Sequence, residues 1–136
     1  MHEWLAPYTP MVHALLATAV LFVVQLLVLD WAGIKAKHKP GMPVPADHAS
    51  FLFRASRAHG NTNESVSAFI LLTLVALFTA APPAWANGCA WLYVAGRLGH
   101  MLCYYADLRL GRSVAFGVSL VALVALLAVV LVAVLA

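Results

Sequence analysis

The stretch from Met11 to Leu29, MVHALLATAVLFVVQLLVL, decides the fold. Only His13, Thr18 and Gln25 interrupt it. With its flanks it reaches about 20 residues, enough to cross a hydrocarbon core ~30 Å thick. Lys35, Lys37, His38 and Lys39 then end it, and Pro40-Gly41-Met42-Pro43-Val44-Pro45 cannot continue a helix. The run is too long for a signal peptide and has no basic segment before it, Glu3 being its only early charge. The helix is therefore expected to stay attached.

Working outward, the same reading predicts four helices, over residues 9–34, 48–80, 85–108 and 112–136. Asp47 is the expected N-cap of the second. That helix measures about 50 Å, longer than the bilayer is thick, so its first turns with Arg54 and Arg57 belong near the headgroups. Pro82-Pro83 stops it. The fourth is almost pure Val, Leu and Ala after Ser119 and should face lipid and pack. Short loops favour an up-down four-helix transmembrane bundle, all-α, in a single domain covering residues 1–136.

Composition points the same way. The 136 residues are 64% hydrophobic and 10% charged, against roughly 25% charged in soluble domains. The net charge of +3 does not indicate a nucleic-acid partner, because all eight basic residues lie between Lys35 and Arg112 and cluster at segment ends. They read instead as topology signals. Both basic loops are expected in the cytoplasm and both termini outside, with Trp4, Tyr8 and Trp85 at the outer interface and Trp31 at the inner one. The Ala/Leu/Val-heavy composition suggests a bacterial inner membrane. Cys89 and Cys103 sit in apolar context without CxxC spacing and read as buried hydrophobes.

The polar residues inside the helices carry the chemistry. Arg97, His100 and Tyr104 stand at i, i+3 and i+7, on one face of the third helix. Arg97 lies 12 residues before Arg109, about 18 Å deeper along the axis. A lipid-facing arginine there costs ~2.5–3.5 kcal/mol on insertion scales, so it should face protein or a wet cavity. Arg57, Asn61 and Glu64 form a similar stripe on the second helix, with Arg54 a turn earlier. A purely structural reading pairs Arg97 with Glu64 between helices. Yet Arg54, Arg57, Arg97, Arg109 and Arg112 outnumber Glu64 and Asp107, and unpaired buried cations are costly. An anionic ligand would supply the missing partners.

Two stretches carry a resemblance to a known family. Arg54-Ala-Ser-Arg57-Ala-His59-Gly60-Asn61-Thr-Asn-Glu64 resembles the signature of the membrane-associated proteins in eicosanoid and glutathione metabolism (MAPEG). These include microsomal glutathione transferases, leukotriene C synthase and microsomal prostaglandin E synthase. Arg97-Leu-Gly-His100 with Tyr104 and then Arg112-Ser113 is similar to its second signature, and the resemblance covers nearly the whole chain. It implies a homotrimer with glutathione as cosubstrate between neighbouring subunits at the cytoplasmic side. Arg57, Asn61, Glu64, His100, Tyr104, Arg112 and Ser113 match positions that touch glutathione, with Arg97 and Arg109 as further candidates. Lys35 or Lys37 falls where the family offers a basic residue from the adjacent subunit. Gly60 stands where several members carry a basic or longer polar residue, and either Arg109 or Arg112 faces the thiol.

The chemistry of the residues agrees with that ligand. Arginines fork onto glutathione's carboxylates, and Glu64 can accept from its ammonium. A nearby cation such as Arg112 favours the reactive thiolate, with the Ser113 hydroxyl donating to it. Both are expected to open the fourth helix, where the dipole favours an anion. The thiolate would add to, or reduce, a lipophilic electrophile or peroxide from the lipid bilayer. The expected function is thus a membrane glutathione transferase or peroxidase, with a non-catalytic scaffold of the same fold as the alternative. A b-type haem held by His13 and His100 is a further reading, and no metal site is expected. Tyr105 reads as packing, His2, His38 and His48 as interfacial, and Asp30 and Asp107 as surface partners of Lys or Arg.

Overall fold

The computed structural model describes residues 3–136, so His2 lies outside the described residues. A short 3₁₀ helix, Glu3–Tyr8, leads into α1 (Thr9–Lys35), followed by α2 (Phe51–Phe78), α3 (Pro83–Tyr105) and α4 (Arg109–Leu135). The chain is an all-α integral membrane protein. Three of the helical spans, Glu3–Lys35, Phe51–Phe78 and Arg109–Leu135, are long and apolar enough to cross a bilayer by composition alone. The remaining one, α3, packs against all three others. Its buried residues Ala86, Cys89, Ala90, Tyr93, Val94, Gly96, Arg97, His100 and Met101 recur every three to four positions, so its polar groups face protein.

Small residues let the helices approach closely. On α2 the inward stripe is Ala55, Ala58, Thr62, Phe69, Thr73 and Ala76. Thr62 and Thr73 donate their hydroxyls to Ala58 O and Phe69 O one turn back, at 3.2 and 2.9 Å. Each buried hydroxyl is thereby satisfied without a partner helix. Phe69 stacks on Tyr93 of α3 with centroids 4.2 Å apart. The closest approach joins α3 to α4, where Gly96 lies against the Ser119 backbone.

At the far end from the basic loops, Asn87 ties the N-terminus down. Its Oδ1 accepts from Met11 N at 3.1 Å and its Nδ2 donates to Pro7 O at 2.9 Å. The first turn of α1, left without a side-chain cap of its own, is thus capped from α3. Tyr8 adds a hydrogen bond from its hydroxyl to Ala81 O.

The helix ends differ from expectation for identifiable reasons. Ser50, not Asp47, caps α2, accepting from Phe53 N at 3.5 Å, while Asp47 Oδ1 takes the nearer Ala49 N at 2.9 Å. The second helix is accordingly Phe51–Phe78 rather than 48–80. α1, α2 and α3 all close with one device. Lys37, Ala80 and Asp107 adopt positive φ of 52, 49 and 55°. Paired bonds His38 N to Gly33 O and Lys37 N to Ile34 O recur as Ala81–Ala76 with Ala80–Leu77, and as Leu108–Cys103 with Asp107–Tyr104. This is the Schellman arrangement with a non-glycine at the left-handed position. It ends α3 at Tyr105, three residues earlier than expected. α4 then starts at Arg109, so Arg112 and Ser113 sit in its second turn rather than opening it, and Arg112 N is bonded to Leu108 O at 3.1 Å.

Candidate functional site

Five residues singled out in the sequence converge on one cavity. Asn61 of α2, His100 and Tyr104 of α3, and Arg112 and Ser113 of α4 line it, with Phe116 as its apolar wall. Its volume is about 280 Å³. The convergence follows from helix periodicity. His100 and Tyr104 are one turn apart on α3, and Arg112 and Phe116 are one turn apart on α4.

Each polar group is held from behind. Arg112 lays its guanidinium over the Tyr104 ring, 4.9 Å from the centroid, and donates from Nη1 to His48 Nδ1 at 3.2 Å. His48 belongs to the loop before α2, and its carbonyl accepts from Arg54 Nη1 at 2.6 Å. Arg54 therefore braces the loop that reaches Arg112. His100 is 3% exposed and stands between the Tyr104 and Phe116 rings, with centroids at 4.9 and 6.3 Å. Ser113 donates to Arg109 O at 3.4 Å and remains exposed.

Arg97 lies under this cavity rather than in its lining. It is 1% exposed, the largest fully buried side chain among the described residues. Its Nε donates to Ser119 Oγ at 3.0 Å, and Nη2 reaches the same oxygen. Nη1 donates to Asn61 Oδ1 at 2.7 Å and Asn61 O at 3.1 Å. The guanidinium carbon sits 5.6 Å from the Tyr93 ring and 5.5 Å from that of Phe116. The expected structural partner, Glu64, is replaced by a serine, an amide and two aromatic faces, because α3 presses onto α4 at Gly96 and brings Ser119 within reach.

The other expected residues lie around the cavity. Glu64 is exposed on α2 and accepts from Asn61 Nδ2 at 3.4 Å, and Arg57 is exposed on the same helix. Arg109 stands exposed at the start of α4 and does not line the cavity, whereas Arg112 does. Lys35 lies over the Trp31 ring at 5.0 Å and faces a separate cavity with Ser50 and Phe51. Within one subunit it does not line the cavity of Arg112. His13 lines an apolar groove between α1 and α3 with Trp91 and Leu98, apart from His100.

Sequence reasoning overlooked Phe116, Ser119 and His48. The first two had a signal: Arg112, Phe116 and Ser119 fall at i, i+4 and i+7, one continuous face of α4. His48 had none, since it acts from a loop.

No curated protein matches this chain. Residues 11–132, nearly its whole length, match the model of the MAPEG family, and with the four-helix bundle and the cavity between α2, α3 and α4 the chain belongs to that family.

Proposed function

We propose that the protein is a glutathione-dependent membrane enzyme that holds the glutathione thiol as thiolate and delivers it to a lipophilic electrophile or peroxide. The observation that carries this reading is the cavity of Asn61, His100, Tyr104, Arg112, Ser113 and Phe116. Its polar wall is rich in hydrogen-bond donors, which suits a peptide with two carboxylates. Family membership supports it, since the family includes glutathione-dependent transferases and peroxidases.

In this reading Arg112 stabilises the thiolate and Ser113 donates a hydrogen bond to it. Asn61, His100 and Tyr104 orient the peptide, and Glu64 receives its ammonium. Arg57 and Arg109 meet carboxylates at the rim. Phe116 and the surrounding apolar helix faces admit the lipophilic partner.

The functional unit is a homotrimer, a number that rests on the family resemblance, while the exposed charges speak for a neighbouring copy. Arg57 and Glu64 are exposed on α2, and a charge turned to lipid becomes costlier the deeper it lies, which weighs most on Glu64, two turns below Arg57. A second copy laid against α2 removes that cost. It also brings its own Lys35 toward a site that Lys35 does not reach within one subunit. A cavity of 280 Å³ is slightly below the ~300–1,000 Å³ typical of ligand sites, as suits a site completed by a neighbour. The basic loops, and with them the mouth of the site, face the cytoplasm.

Glutathione added to the purified protein in detergent should raise its melting temperature and produce the ultraviolet absorbance of a thiolate at neutral pH. Arg112→Ala should abolish that absorbance while leaving the assembly's size unchanged. Absence of both the thermal shift and any conjugation by the unaltered protein would sink the proposal. Binding without turnover across electrophiles and peroxides would assign the scaffold reading instead.

A further inference from the structure

We infer that Arg97 and Ser119 set the polarity of Asn61, making it a hydrogen-bond donor to the ligand and so selecting for a carboxylate or carbonyl oxygen at that point of the cavity. The inference rests on the glutathione reading and adds to it a positioning pair that lies outside the cavity lining.

The chemistry leaves one assignment of the amide. A guanidinium carries five N–H groups and no acceptor. The Asn61 side-chain atom 2.7 Å from Arg97 Nη1 must therefore be the oxygen. Nδ2 then lies on the side away from Arg97, reaching Glu64 Oε2 at 3.4 Å, while Asn61 lines the cavity. One of its two hydrogens serves Glu64, and the second is the one assigned here to the ligand. The oxygen of Asn61 is engaged by a buried cation that does not line the cavity.

Arg97 is able to do this because it has no freedom of its own. Nε and Nη2 both close on Ser119 Oγ, and the Ser119 hydroxyl in turn donates to Phe116 O at 2.8 Å. The serine thus accepts twice and donates once, its full capacity. The Tyr93 and Phe116 rings flank the guanidinium, and burial leaves it 1% exposed. Helices α2, α3 and α4 are thereby joined through one cation whose orientation dictates that of the amide.

The test compares Asn61→Asp with Asn61→Leu in the intact protein in detergent, measuring melting temperature and glutathione affinity by calorimetry. Aspartate keeps an oxygen opposite Arg97 but has no donor. Both variants should lose glutathione affinity, about tenfold to a hundredfold for one hydrogen bond to a charged group. Asn61→Asp should melt above Asn61→Leu, and that advantage should vanish when Arg97→Met is added. Wild-type affinity in Asn61→Asp, or a melting point no higher than that of Asn61→Leu, would overturn the inference. If the unaltered protein binds no glutathione, the functional reading falls, and the melting comparison alone decides the orientation of the amide.

Discussion

Gly96 sits where α3 and α4 come closest, and replacing it with alanine measures what that approach is worth. A methyl there would stand 2.7 Å from Ser119 N, 2.8 Å from Ser119 Cβ and 3.0 Å from Ala115 O, where ordinary contact begins at 3.4 Å. All three obstacles are backbone or Cβ atoms, so no side chain can rotate aside and the helices must part by about 0.7 Å. Overpacking of this kind costs about 1–3 kcal/mol. The same displacement lengthens the Arg97 Nε to Ser119 Oγ bond from 3.0 Å to about 3.7 Å, beyond hydrogen-bond reach. A lost bond to a buried charged group adds about 1.5–3 kcal/mol. Alanine's better helix propensity returns about 1 kcal/mol, leaving a net destabilisation of about 1.5–5 kcal/mol. Reversible unfolding by titration with sodium dodecyl sulfate in mixed micelles reads this directly. Gly88→Ala, on the same helix with nothing within 4 Å of the added Cβ, is the control and should gain about 0.5–1 kcal/mol. A Gly96→Ala protein within about 0.5 kcal/mol of wild type, the range of an ordinary surface change, would refute the reasoning.

Further outcomes follow from features at the helix ends and from the buried arginine. Ala80→Gly removes a side chain from a left-handed position and should stabilise the protein by about 0.5–1 kcal/mol in the same titration; a loss would show that the Schellman closure does not govern that end. Asn87→Ala leaves Met11 N and Pro7 O without their partner and should cost about 1–2 kcal/mol, with faster proteolysis near Pro7. Unchanged proteolysis and stability would mean the N-terminus is held by other contacts. Ser119→Ala strands two donors of Arg97 and should cost about 1–3 kcal/mol, more than Ser113→Ala, whose hydroxyl is exposed.

The helices were legible because apolar runs long enough for a bilayer have few alternative fates. Their ends were harder. Asp47 and Ser50 are both capping residues, and only three-dimensional proximity awards the cap to Ser50. Lys37, Ala80 and Asp107 stand where glycine is the usual signal, and only Asp107 belongs to a residue type that visits the left-handed region with any regularity. The inward face of Arg97 could be read from the cost of turning a guanidinium to lipid. Its partner could not, since periodicity assigns a residue to a face without saying which helix meets it. That choice falls to Gly96, whose missing side chain brings Ser119 close. The cavity residues were found because two helical stripes and the Arg112-Ser113 pair each mark one face. Lys35 lines a cavity of its own with Ser50 and Phe51, and nothing in its spacing relates it to Arg112.

The Arg97–Ser119 link also constrains how the protein is made. Among the described residues, α3 is the one long helix that does not qualify as a membrane span by length and composition, and its guanidinium binds a hydroxyl that lies 22 residues further along the chain. Before α4 is made, the guanidinium has only its Asn61 partners on α2, and Nε and Nη2 lack an acceptor until Ser119 arrives, so settling α3 into lipid is expected to be coupled to α4. Truncation before Ser119 should therefore leave α3 outside the bilayer and mark the nascent chain for degradation.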